Sequence, residues 1–338
     1  MKKLISLICV LAMVLALAAC GSSAPAAATE APAASTEAPA EDVSADKTFV
    51  VGICQLVQHP ALDAATQGFK DALTEALGDK VTFQEQNASG DSATCSLICN
   101  QFVSDEVDLI MANATASIQA AASATNTIPI LGTSITDYGV ALGVDNWTGV
   151  SGTNISGTSD LAPLDGQAAM IQELFPDAKT IGLLYCSGEP NSIFQADSME
   201  TLLTDMGYSV ERYTFADSND VSSVTANACS NADVLYIPTD NTAASCTEAI
   251  NNVALSAGIP IVAGEEGIAA GCGAATLSIS YYDLGRATGE MAAEILTEGA
   301  DISTMEVRFA PAFTKEYNAD ICEALNITVP DDYVAIAK

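Results

Sequence analysis

The chain has 338 residues, 49% hydrophobic and 16% charged, with 43 Asp and Glu against 11 Lys and Arg, a formal net charge of −32. That length leaves room for two domains with sizeable cores. A surface so acidic repels phosphate backbones and anionic headgroups, which excludes nucleic acid as a partner and suits the solubilising coat of an exported protein.

The chain opens with Lys2 and Lys3 and an apolar run from Leu4 to Leu17, the pattern of a secretory signal. Leu17-Ala18-Ala19-Cys20-Gly21 follows, small residues and a cysteine in the spacing of a bacterial lipobox. Residues 1–19 are therefore expected to be a lipoprotein signal peptide, with Cys20 lipidated. Residues 20–46 are rich in Ala, Pro, Ser, Thr and Glu, with no apolar period to offset the entropy of ordering. They read as a disordered tether with a mean reach of about 25–30 Å, holding the body at the outer face of a cell membrane.

From Phe49 to Val57 a β-branched run predicts a strand, turning at His59-Pro60 into a helix with Ala65, Phe69, Leu73 and Leu77 on one face. Gly78 ends it as a C-cap. Strand 81–83, a turn at 87–91, helix 92–102, strand 107–111, helix 115–125 and strand 128–132 follow. The Gly/Ser/Thr-rich segment 149–160 reads as a first crossover, and helix 165–175 opens a second half. Strands alternating with helices at this rhythm predict a doubly wound parallel sheet.

The series then repeats. Val50 to Leu73 is echoed by Thr180 to Leu203, each with a Gly in its apolar run (Gly52, Gly182) and a polar residue followed by Pro seven residues later (His59-Pro60, Glu189-Pro190). Val107 to Met111 leads through Asn113-Ala114-Thr115 to a helix; Asp233 to Ile237 leads through Thr239-Asp240-Asn241 to another. The C-terminal part adds an amphipathic helix over 286–296, a strand over 304–309 and a helix over 318–325. Two similar α/β lobes are expected, 47–160 plus 281–308 and 161–280 plus 309–338, facing each other across a cleft.

In open α/β sheets ligands sit beyond the carboxyl ends of the strands, and the loops there are rich in short polar groups. Helix N-termini at Thr115 and Asn241 suit a ligand carboxylate, whereas Asp240, Glu189 or Asp137 suit an ammonium. The same residues serve equally as helix caps. Tyr138, Trp147 and Tyr185 are candidates to stack on an aromatic ligand, or to pack in loop and core. His59, the one histidine, reads as a turn residue rather than a catalyst, because no nucleophile motif, paired-carboxylate spacing or phosphate-cradling loop accompanies it. Cysteines 54, 95, 99, 186, 229, 246, 272 and 322 allow four disulfides, but their positions inside apolar patterns favour free thiols. With one His and no CxxC, neither a metal nor another cofactor is expected.

GICQLVQHPALDAATQGFKDAL, NASGDSAT, FVSDEVDLIMANATAS, NISGTSD, GLLYCSGEPNS, YIPTDNT and YYDLGRATGEMAAEIL together resemble the ABC-transporter substrate-binding lipoproteins of the tryptophan/tyrosine type. The resemblance implies the type I periplasmic-binding-protein fold, two lobes joined by three hinge crossovers. It also implies a monomer that closes on a small amino-acid-like ligand, aromatic by preference, and delivers it to ABC permease subunits. By position it implies ligand contacts from Leu62, Thr115, Ser117, Thr133, Asp137, Glu189, Asn191, Asp240, Asn241 and Glu265. Cys186 and Tyr138 depart from the family pattern near the implied cleft. Two other functions fit the same cleft: a ligand-sensing ectodomain docked to a membrane signalling partner, and an extracytoplasmic enzyme. Permease and ATPase genes beside this one would favour import over sensing, and a turnover assay would reveal the enzyme.

Overall fold

Seven successive residues with hardly any polar alternation make β1 (Phe49–Gln55) a strand buried on both faces, which is the signature of a parallel sheet covered by helices. The structure, a computed structural model, describes residues 47–310 and 312–337. The signal peptide, Cys20 and the tether expected over 20–46 lie outside the described residues.

After β1 come α1 (Pro60–Leu77), β2 (Val81–Asn87), α2 (Ser92–Ser104), β3 (Leu109–Asn113), α3 (Thr115–Ala124), β4 (Ile130–Ile135), α4 (Tyr138–Leu142) and β5 (Ile155–Ser159). Then follow α5 (Leu164–Leu174), β6 (Thr180–Cys186), α6 (Pro190–Asp205), β7 (Ser209–Phe215), α7 (Val221–Cys229), β8 (Val234–Ile237), α8 (Asn241–Ser245), α9 (Thr247–Ala257), β9 (Ile261–Ala263), α10 (Glu266–Cys272) and β10 (Ala275–Ser278). The chain ends with α11 (Tyr281–Glu298), β11 (Arg308–Phe309), β12 (Thr314–Tyr317), α12 (Ala319–Leu325) and β13 (Val334–Ala335).

The first sheet has the order β11-β5-β4-β3-β1-β2 and is parallel throughout. The second has the order β13-β12-β10-β9-β8-β6-β7, with β12 antiparallel to β10. Stripped of their edges the two sheets have the same 2-1-3-4-5 winding, so the repeat in the sequence is a repeat of topology. Gly52 and Gly182 show why a glycine recurs. A Cβ at Gly52 would stand 2.6 Å from the Phe102 ring, and one at Gly182 would stand 2.7 Å from Leu235 Cδ2. Burying a side chain such as Phe102 is worth about 1.5–3 kcal/mol, and each strand gives up its own side chain to let that packing occur.

Among the described residues the chain passes between the sheets three times: from β5 to α5, from β10 to α11, and from β11 to β12. Helix α11 lies along α1 of the first lobe and packs Met291 and Ala292 into its core. The segment expected as a crossover at 149–160 is partly a strand. Its second half is β5, paired with Ile130, Leu131 and Gly132, so the crossing begins only at Asp160. The strand expected over 304–309 shortens to Arg308 and Phe309, because only Thr158 and Ser159 offer it backbone partners; a 3-10 turn takes Ile302–Thr304.

The eight cysteines of the described body are free thiols, six of them buried. Cys54, Cys95 and Cys99 meet beneath α3 as small apolar side chains of the first core.

Candidate functional site

The loops that leave the strands of both sheets converge where the lobes meet, around a small inner chamber with about 10 Å³ of free volume. That is roughly the room of one water or of one ammonium head group. The first lobe supplies His59 and Leu62 from the start of α1, and Ser134 and Thr136 from the end of β4. The second supplies Asn191, Thr239, Asp240, Asn241, Ala244 and Glu265, and the crossings supply Asp160 and Tyr281.

Local chain geometry sets each of these. Ser134 has φ 56°, and the β4–β5 register shifts between Gly132 and Ile135. The strand turns over there, bringing Ser134 and Thr136 to the chamber while Thr133 faces the Thr158 hydroxyl at 3.3 Å. Pro60 occupies the first turn of α1, where its missing N–H costs nothing, and fixes His59 in extended conformation at the helix entry. His59 Nε2 stands 3.3 Å from Asn241 Oδ1 on the other lobe. The Asn241 amide nitrogen donates to Glu189 at 2.7 Å, so its oxygen faces the ring and Nε2 carries the proton. His59 Nδ1 is then a bare acceptor, buried and without a partner, as is the Ser134 hydroxyl. Burial lowers the His59 pKa below its ordinary value, against the Asn241 bond and the charges of Glu189 and Asp63, which favours the neutral ring.

Three carboxyls share the chamber. Glu265 caps α10, accepting from the amides of Gly267 at 2.6 Å and Ile268 at 2.5 Å; burial nevertheless raises its pKa to about 7. Asp160 accepts from Tyr281 Oη at 2.9 Å and Thr136 Oγ1 at 3.1 Å, and burial raises it to about 6. Asp240 caps α8 through Ala243 N at 2.7 Å and accepts from Cys186 N at 2.6 Å. Burial first, and then the neighbouring charge of Glu189, hold its pKa far above the carboxylate range. Neither Lys nor Arg lines this chamber among the described residues. Buried carboxyls without a cation are costly, and their raised pKa values are that cost expressed as proton affinity.

An outer cavity of about 460 Å³ continues from the chamber past Asn191 and Asn241, which line both. Leu56, Val57, Asp91, Ala116 and Gln119 form its first-lobe wall; Cys186, Glu189, Pro190, Asp217 and Thr242 belong to the second. Its two helix entries differ. At α8 the amides of Asn241 and Thr242 donate to Glu189 at 3.0 and 2.9 Å, and Asp240 takes Ala243, so the protein's own carboxylates fill that end. At α3 the N-cap is Ala114, which has no side chain to fill the end and stands at φ 87°, ψ 161°. Direct bonds tie the lobes: His59 to Asn241, and Gln195 Nε2 to Thr136 Oγ1 at 3.2 Å.

Of the residues expected from the sequence, Leu62, Asn191, Asp240, Asn241 and Glu265 line the chamber, and Glu189 lines the outer cavity beside Asn191 and Asn241. Thr115, Ser117, Thr133 and Asp137 line neither cavity. Ser117 is fully buried, 3.6 Å from the thiols of both Cys54 and Cys95. Asp137 caps α4 through Val140 N at 2.7 Å, and Thr115 is buried at the first turn of α3. Tyr138 stacks on Trp147 and donates to the carbonyls of Gly132 and Thr158, and Tyr185 Oη accepts from Arg212. None of these three aromatics lines a cavity, whereas Cys186 lines the outer one. Sequence reasoning passed over Ser134, Thr136, Asp160, Thr239 and Tyr281 as ligand contacts. The trace they left was position: Ser134, Thr136 and Thr239 lie in the polar segments after strand ends, Asp160 closes the Gly/Ser/Thr-rich segment 149–160, and Tyr281 opens the stretch YYDLGRATGEMAAEIL.

The pattern of the family described as ABC transporter substrate binding protein matches residues 50–338. A tyrosine-binding protein of Clostridioides difficile (strain R20291) is 38% identical over 280 residues, covering 82% of this chain and 81% of that protein. The structure superposes on a Streptococcus pneumonia ABC domain in complex with L-Trp at TM-score 0.82 and 30% identity, over 86% of this chain and all of that one. Against the ligand-free, open structure of a substrate-binding protein with adhesive properties from Clostridium difficile, identity is higher, 37%, but TM-score is 0.66, over 86% of this chain and all of that one. The lobes here thus stand closer to the ligand-bound arrangement, as their direct bonds require.

Proposed function

The chain belongs to the family of ABC transporter substrate-binding proteins, and from that premise we propose that it takes an amino acid, ammonium first, between its lobes for delivery to a membrane permease. One observation carries this reading: Asp160, Asp240 and Glu265 lie buried around a chamber that, among the described residues, is lined by no Lys or Arg. A ligand ammonium supplies the cation, with His59 Nδ1 as a further acceptor. The ligand carboxylate goes to the first turn of α3, which meets the outer cavity at Ala116 and where the helix dipole favours negative charge.

Closure follows from the same electrostatics. Without ligand, opening lets water solvate the three carboxyls; with the ammonium in place, the closed form gains contacts to both lobes at once and is selected. An aromatic side chain fits the outer cavity against Leu56, Val57 and Ala116, in keeping with the tyrosine-binding relative and the Trp complex. The protein acts as a monomer and leaves its ligand unchanged. Cys20 carries the lipid anchor and residues 20–46 the tether.

The test is titration calorimetry with the twenty amino acids and their N-acetyl forms. Binding of tyrosine, tryptophan or phenylalanine is expected, with loss of about 100-fold or more on acetylation, since a desolvated charge then loses its partner. No binding by any free amino acid, or equal binding of the acetylated forms, would remove this reading.

A further inference from the structure

Everything charged in the cleft has one sign. The inner chamber presents Asp160, Asp240 and Glu265; the outer cavity adds Asp91, Glu189 and Asp217; and among the described residues neither is lined by Lys or Arg. The second lobe has spent its likeliest anion site on itself, since Glu189 and Asp240 fill the start of α8. The two buried polar atoms without partners beside the chamber are His59 Nδ1, an acceptor in the tautomer that Asn241 imposes, and the Ser134 hydroxyl. Tyr281 and Thr136 already donate to Asp160, and Thr239 Oγ1 donates to Gln195. The chamber is therefore furnished mainly with acceptors and matches a group that only donates.

A ligand carboxylate meets a less favourable balance. No cationic side chain meets it: its attractions are the end of α3, worth about half an elementary charge, and neutral hydroxyls such as Ser89 and Ser92, whereas Asp91, Glu189 and Asp217 stand around the same cavity. Losing the carboxylate forfeits those attractions and relieves the repulsion. We infer that the cleft also accepts primary amines that have no α-carboxylate, namely arylalkylamines and amino-acid amides. The inference rests on the ammonium-first reading above and extends the ligand class beyond amino acids.

The purified full chain is titrated by calorimetry with tyrosine, tyramine, tyrosinamide and N-acetyltyrosine, and with the corresponding tryptophan series. The expected result is that the amine and the amide of a bound amino acid bind within about ten-fold of it, while the N-acetyl form does not bind. Amine and amide both weaker by more than about ten-fold overturn the inference and leave the amino-acid reading standing. Amines that bind when neither amino acid does support the inference and overturn that reading instead. Binding of the N-acetyl forms, or of no compound in either series, overturns both.

Discussion

The loops after β3 and β8 hold the same place in the two lobes, but only the second carries charge. After β8 the helix begins at Asp240, whose carboxylate is buried against Ala243 N and Cys186 N, with Glu189 over the next amides. After β3 the helix begins at Ala114, which has no side-chain cap. Topologically equivalent loops thus give an anionic wall on one side of the cleft and a partly positive helix end on the other. A symmetric pair of lobes becomes a receptor for a polar ligand with two ends through its two N-caps, which differ in side chain and in backbone, Asp240 standing at φ −120° and Ala114 at φ 87°. The backbone of Ala114, at φ 87° and ψ 161°, lies in a region that is essentially glycine's, a strain of about 1–3 kcal/mol of the kind that collects at binding sites.

Asp240→Asn breaks the comparison on its charged side. Asn caps a helix about as well as Asp, so α8 keeps its bond from Ala243 N, while the amide nitrogen that replaces the second oxygen removes both the charge and the bond from Cys186 N. Affinity for the bound amino acid is expected to fall by more than about 2 kcal/mol. Unchanged affinity by calorimetry would take Asp240 out of the site.

Ala114→Asp sharpens it from the other side by giving α3 the carboxylate that α8 already has. The amino acid should bind about ten-fold more weakly while its decarboxylated amine does not weaken. Circular dichroism checks that the helix survives, and an equal loss for both compounds would mean that the end of α3 does not meet the carboxylate.

The pH dependence follows from the raised pKa values. In the closed, ligand-free cleft Glu265 stands at about 7 and Asp160 at about 6, against ordinary values of 4.5 and 3.8. A carboxyl that holds its proton more tightly in one form favours that form at low pH, and the contribution is lost as pH rises through the raised value. The ligand-free protein should therefore be more closed at pH 5 than at pH 8, while ligand closes it at both. Solution scattering would show this as a larger radius at pH 8 without ligand, and a radius independent of pH would sink the electrostatic account of opening.

The smallest effect is expected from Ala114→Gly. Glycine adopts the same backbone without strain, so thermal stability should rise by about 1 kcal/mol with little change in affinity. A lower melting temperature would show that the methyl group, buried in the first core, outweighs the strain.

Much of this was legible in the sequence. Strand and helix order, the two lobes and the polar loops at their strand ends follow from periodicity and from the repeat of Val50–Leu73 in Thr180–Leu203, because hydrophobic spacing is a local consequence of burial. Even the asymmetry is visible in the text, as Asn113-Ala114-Thr115 against Thr239-Asp240-Asn241. What could not be read there is which side of each loop faces the cleft. In β4 the choice of Ser134 and Thr136 over Thr133 and Asp137 depends on one left-handed residue and a register shift, and neither leaves a pattern in residue types. Asp160 is one acid among 43 until the hinge sets it beside Tyr281. Local periodicity therefore determined the elements and their order, whereas the convergence of three carboxyls on one chamber was decided by tertiary structure, since it sets Asp160 on a crossing against Asp240 and Glu265 from two separate strand ends of the second lobe, and no local pattern links them.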